Sequence, residues 1–184
     1  MGIYETMPNY FLGEHVIIVD IKGQIAEKKR IIEYCENALA YFLTDLSKQI
    51  EVNLTISKEL DSQAFGYCSG DDSSVDIELA KVSDGFKLSI DDMMLNLAHE
   101  LIHAKQFIKG ELNPNLNIWR HADYSNVPYS IRPWEKQAYM FEDIIYNLFW
   151  KNPETNSLCP NSFSTMPSNK FHNFAIIRIN PDED

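Results

Sequence analysis

His99-Glu100-Leu101-Ile102-His103 sets two imidazoles four residues apart, with a carboxylate beside the first. On a helix His99 and His103 lie on one side, a turn apart, and can give two ring nitrogens to one cation. Glu100 falls off that line, where its carboxylate can take a proton from water without occupying the metal. Zinc suits such a pattern, because its catalytic sites use three protein ligands and keep a position for water. The ion acidifies the water, and the glutamate takes the proton as the water attacks a carbonyl. In a chain with five histidines, chance yields the motif in about one sequence of this composition in a hundred. The competing reading is two core histidines satisfied by their neighbours.

A third ligand has two candidates. Glu135 opens a helix in Pro133-Trp134-Glu135-Lys136-Gln137-Ala138, on a face shared with Tyr139 and Glu142. The opposite stripe of Trp134, Ala138, Phe141, Ile145 and Leu148 is apolar and predicts packing on the core. Two histidines and a glutamate from a second helix form a known zinc set, although a first-turn glutamate is also favoured by the helix dipole alone. His121, in Trp119-Arg120-His121-Ala122-Asp123, is the rival, on a loop where it could equally bind substrate. Tyr124, Tyr129, His121 and Arg132 are the candidates to stabilise an oxyanion. His15 and His172 have no supporting context.

The elements that must position these groups follow from periodicity. Residues 89–109 read as a helix, with an apolar stripe of Met94, Leu97, Leu101, Ala104 and Ile108 and a polar one of Asp92, Asn96, His99, His103 and Gln106. Ser89 with Asp92 forms a capping arrangement at its start, and Gly110 supplies a stop. Residues 25–48 and 133–150 read as further helices, the latter with Pro133 in its first turn. Strands are expected at 14–21, 50–57, 64–68 and 74–80, with a turn at Gly70-Asp71-Asp72-Ser73. Residues 111–132 read as irregular. The expectation is one α+β domain, a small mostly antiparallel sheet packed on about three helices. Its core spans 14–150, and 151–184 form a polar C-terminal extension in which 174–179 could add a last strand.

Composition narrows the function. The chain has 184 residues, 45% hydrophobic and 23% charged, enough for one core without disulfide staples. A net charge of −11 disfavours nucleic acid and anionic membranes as partners. Cys35, Cys68 and Cys159 form neither a disulfide framework nor a CxxC zinc site, and read as reduced thiols. The opening Met1–Pro8 lacks a basic and apolar leader pattern, and runs such as 16–19 are too short to cross a bilayer. A cytoplasmic location is therefore expected.

From Asp92 to Phe141 the chain resembles small HExxH zinc metallopeptidases of the gluzincin type, above all short, often phage-encoded, SprT-like proteins. The matching residues are His99-Glu100-Leu101-Ile102-His103, Gln106, Trp119, and Pro133-Trp134-Glu135 with Ala138. The Glu-x-x-Ala element, continued by Phe141, is also similar to peptidases of the ImmA/IrrE kind. The resemblance implies a minimal zincin-like metallopeptidase domain that hydrolyses peptide or protein substrates. It implies Zn2+ held by His99, His103 and Glu135, with Glu100 as catalytic base, and the host cytoplasm as the location of a phage-encoded protein. It also implies that the strand before the motif helix, 74–80, edges the cleft and pairs with the substrate backbone. Genome-maintenance SprT proteins use a third histidine and carry DNA-binding segments; this acidic chain departs from both, so a DNA-related role is not carried over. Two other readings are a non-catalytic zinc-bearing binding or assembly protein on a peptidase fold, and a metal-independent interaction domain. The intact Glu100 speaks against the former, because ligation alone does not need it.

Overall fold

In the computed structural model, residues 16–44, 48–61 and 64–152 are described. The alternating segments become β1 (Val16–Lys22), β2 (Gln49–Ser57), β3 (Gly66–Gly70) and β4 (Ser74–Ala80). They form one sheet in the order β1-β2-β4-β3. Period-2 patterning sorts its faces. Ile50, Val52, Leu54, Val75, Ile77 and Leu79 are buried, while Glu51, Asp76 and Glu78 face solvent.

The helices cover the apolar face. α1 (Lys28–Phe42) buries Ile31, Tyr34, Cys35, Ala38 and Leu39. α2 (Ile90–Ile108) lies across β3 and β4, and α3 (Pro133–Ile145) packs on α2. Because α2 is enclosed by the sheet on one side and α3 on the other, its polar stripe is buried from Asn96 through Gln106 as well as its apolar one.

The α+β architecture with three α-helices is as expected. Among the described residues three of the five strand pairings are antiparallel: β3 with β4, β5 (Val82–Ser83) with β6 (Phe86–Lys87), and β7 (Ile118–Trp119) with β8 (Ala122–Asp123). The main sheet itself is mixed, since β1-β2 and β2-β4 run parallel.

One expectation is corrected. Strand 74–80 is β4, with β2 bonded along one edge and β3 along the other. It has no free edge to offer a substrate. Among the described residues the outer strand on this side is β3.

Element ends differ from the periodicity where the backbone turns. α1 begins at Lys28, because Glu27 takes a left-handed φ of 58°. The third helix changes to a π-helical turn at Tyr146–Lys151. That turn carries Trp150, whose indole N–H donates to Asp91 (3.0 Å) and whose ring lies under the Arg30 guanidinium, 3.7 Å away. The segment 111–132 contains the β7–β8 hairpin. Its two turn residues, Arg120 and His121, have φ of 46° and 71°, the signature of a tight primed turn. Residues 14–15 and 174–179, together with His15, Cys159 and His172, lie outside the described residues. No helix among the described residues is long and apolar enough to cross a membrane.

Candidate metal centre

α2 is fixed at both ends. Ser89 accepts from the Asp92 N–H (3.1 Å), and the Asp92 carboxylate accepts in return from the Ser89 N–H (3.1 Å), a complete capping box. At the other end Gly110 has φ 65°; its N–H reaches Phe107 O and that of Glu111 reaches Gln106 O, both at 2.8 Å. This Schellman closure ends the helix one turn beyond His103. Pro133 starts α3, and the fully buried Trp134 seats that first turn, so Glu135 projects at α2.

The side chains converge as the spacing requires. His99 Nε2 and His103 Nε2 are 3.1 Å apart. Glu135 Oε2 lies 3.5 Å from His99 Nε2, and Glu135 Oε1 lies 3.5 Å from His103 Nε2. All three residues are buried, and His99, His103 and Glu135 are the one group among the described residues whose donor atoms could share an ion.

The hydrogen bonds behind the imidazoles set their tautomers. His99 Nδ1 is 2.6 Å from Glu142 Oε2, and a carboxylate only accepts, so Nδ1 carries the proton. His103 Nδ1 is 2.8 Å from Gln106 Oε1. The Gln106 amide is oriented by its Nε2, which donates to Trp134 O and to Gln137 Oε1, each at 3.0 Å. Its oxygen is therefore the acceptor, and His103 Nδ1 also carries a proton. Two neutral rings would then face each other through bare Nε2 lone pairs at 3.1 Å, beside a carboxylate. Such a cluster needs a positive charge at its centre, either a shared proton or a metal ion.

The charge balance says the same. Burial pulls the His99 pKa down, but Glu135 and Glu142 outweigh it and hold it at about 9. Burial likewise lowers His103, and Glu135 reverses the shift. For Glu135 burial acts upward, yet the imidazoles of His103 and His99 bring it down to about 2. Glu100 is raised, chiefly by burial, with the imidazoles of His103 and His99 opposing.

The residues fit zinc. A tetrahedral ion with bonds of ~2.0–2.2 Å has ligand–ligand edges of about 3.3–3.6 Å; the two Nε2 atoms are 3.1 Å apart, and each lies 3.5 Å from a different oxygen of Glu135, so the carboxylate faces the pair and can give either oxygen to an ion. Glu135 Oε2 is buried and takes no hydrogen bond, as expected of an atom whose partner is a cation. Each imidazole has its outer nitrogen bonded, the usual arrangement behind zinc-ligating histidines.

No protein-family model matches the chain, and no curated protein matches it. Among solved structures it is similar to Wss1 and to a Wss1 mutant, both from Saccharomyces cerevisiae, each at 14% identity. The likeness to Wss1 covers 79% of this chain and 95% of that one at a TM-score of 0.38. For the mutant the figures are 80%, 98% and 0.36.

The other candidates separate clearly. His121 is exposed on the β7–β8 turn and stands apart from the cluster. Arg132 is committed to Val127 O (3.0 Å) and stacks over Trp134 and Tyr129. Tyr124 packs edge-on against Trp134. Tyr129 alone of the four faces the cluster: burial and the adjacent Glu135 carboxylate raise its pKa, and its ring remains partly exposed. The sequence reading gave no role to Glu142, although its place two turns beyond Glu135 on one helical face was a usable signal. It passed over Gly66, and it placed Tyr139 on the Glu135 face without a role; the Tyr139 ring stands edge-on to His99 at 4.8 Å.

Proposed function

We propose that the protein is a zinc-dependent metallopeptidase, with His99, His103 and Glu135 holding the ion and Glu100 serving as general base. The observation that carries this reading is the pair of imidazoles whose bare Nε2 atoms meet the Glu135 carboxylate, one oxygen of which, Oε2, is buried without a hydrogen bond. When bound there, zinc supplies Lewis acidity, lowering the pKa of water and polarising a carbonyl. Glu100 sits one residue from His99, nearly buried, and its carboxyl is poised upward by that burial. Its carboxylate would accept a proton from the attacking water and return it to the departing amide nitrogen. Glu142 and Gln106 would keep both Nε2 lone pairs directed at the ion. The Tyr129 hydroxyl, beside Glu135 at the rim, would donate to the developing oxyanion.

The substrate class follows from the sheet. β3 is an edge strand alongside α2, so a peptide could add to it through main-chain hydrogen bonds with little sequence preference. The test is cleavage of a fluorogenic peptide library by the zinc-loaded chain and by Glu100→Gln. The variant should keep its zinc and its fold and lose at least ~10²-fold in rate, the scale of a general base. A parent chain that holds zinc and cleaves nothing would favour a binding protein on this fold.

A further inference from the structure

We infer that Gly66 is a positioning residue for Glu100: the missing side chain at this point of β3 is what lets the Glu100 carboxylate lie beside His99 and His103. The inference rests on the proposed role of Glu100 and concerns how its position is set. Gly66 begins the edge strand and pairs with Leu79 of β4. A Cβ placed on its backbone would sit 2.8 Å from Glu100 Oε1, 3.0 Å from Glu100 Cγ and 3.1 Å from Leu79 Cδ2. Ordinary contacts between such atoms are nearer ~3.5 Å, so two of the three conflicts fall on the one side chain.

Backbone freedom does not explain this glycine. The glycines with positive φ among the described residues are Gly23, Gly70, Gly85 and Gly110, and Gly66 is not one of them. An alanine can adopt its conformation, and what the glycine provides is room.

Glu100 has few alternatives to that room. Cys68, the next inward-facing position on β3, is buried, and its thiol is held well above its ordinary pKa first by burial and then by the Glu100 charge. The carboxylates of Glu135 and Glu142 act on Glu100 as like charges. Relieving the contact with a Cβ at 66 therefore means turning the Glu100 carboxylate out of place by half an ångström or more. Misplacement of a reacting group by about 1 Å can cost 10²-fold in rate. The fold should bear the change, because the nearest atoms belong to the side chains of Glu100 and Leu79 and not to backbone.

The experiment compares the zinc-loaded parent, Gly66→Ala, Glu100→Asp and the double variant, using the library peptide that the parent cleaves fastest, together with crystal structures of the parent and Gly66→Ala. Zinc content and Tm of Gly66→Ala should match the parent. Its kcat should fall ~10–10²-fold with KM changed less than about threefold, and its Glu100 carboxylate should be displaced. Glu100→Asp, one methylene shorter, should cost less in the Gly66→Ala background than in the parent, a non-additivity that a merely structural glycine would not produce. A Gly66→Ala structure with the Glu100 carboxylate unmoved, or an unchanged kcat, overturns the inference. If the parent cleaves no peptide, the peptidase reading fails, and the crystal structures alone decide whether Gly66 places Glu100.

Discussion

Replacing Glu142 by glutamine probes the least visible part of the metal centre. Glu142 stands 2.6 Å from His99 Nδ1 and is 9% exposed, so its charge acts on the imidazole with little screening. Glu142→Gln keeps the size and one acceptor oxygen but removes the charge that strengthens His99 as a ligand. It also admits a wrong state, in which the amide NH2 faces Nδ1 and the ring proton moves to Nε2, the atom needed for the ion. Loss of such a partner typically weakens metal binding 10–100-fold, about 1.4–2.7 kcal/mol. The assay is competition for zinc against a chromophoric chelator at one fixed pH, with circular dichroism to verify the fold. A dissociation constant within about twofold of the parent, in a folded variant, would refute the claim that Glu142 orients His99 for metal.

Two further outcomes follow from the same cluster. In metal-free protein His99 is raised from 6.5 to about 9, so its contribution is complete below 6.5 and is lost as pH climbs through 9. Glu135 is lowered from 4.5 to about 2, so its share is complete above 4.5 and is lost as pH falls through 2. The two shifts reflect largely one interaction, worth ~3 kcal/mol. The Tm of chelator-treated protein should therefore be highest between 4.5 and 6.5 as far as this cluster decides it, and should decline toward 9. The gain in Tm on adding zinc should widen over that upper range; a metal-free profile rising from 6.5 to 9 would contradict the assigned partners. Separately, His103→Ala should lose metal and activity together, whereas Glu100→Gln should lose activity alone, as elemental analysis beside the peptide assay will show.

Local physics made much of this legible beforehand. Strand 74–80 was readable to the residue because every second side chain from Val75 to Leu79 is apolar. The Ser89–Asp92 box and Gly110 bounded α2, since capping needs only neighbours in sequence. Spacing alone foretold that His99 and His103 would share a face. Which strand lies at the sheet edge was not legible, because β3 and β4 differ by a pairing register that no local pattern encodes. Glu27 and Arg120 hide their left-handed conformations, because neither is a residue type that announces one. For Glu142 the sequence showed only a place on the helical face of Glu135; its bond to His99 exists only once α3 packs on α2. Gly66 was one position of the strand expected at 64–68, with nothing in its neighbours to mark it, until Glu100 lay across it.

The most direct test of the central claim is a zinc-edge anomalous difference map from crystals of the protein purified without added chelator. One peak per chain is expected, ~2.0–2.2 Å from Nε2 of His99, Nε2 of His103 and a carboxylate oxygen of Glu135. A map with no peak there after zinc soaking, with the two imidazoles still 3.1 Å apart and sharing a proton, would contradict it.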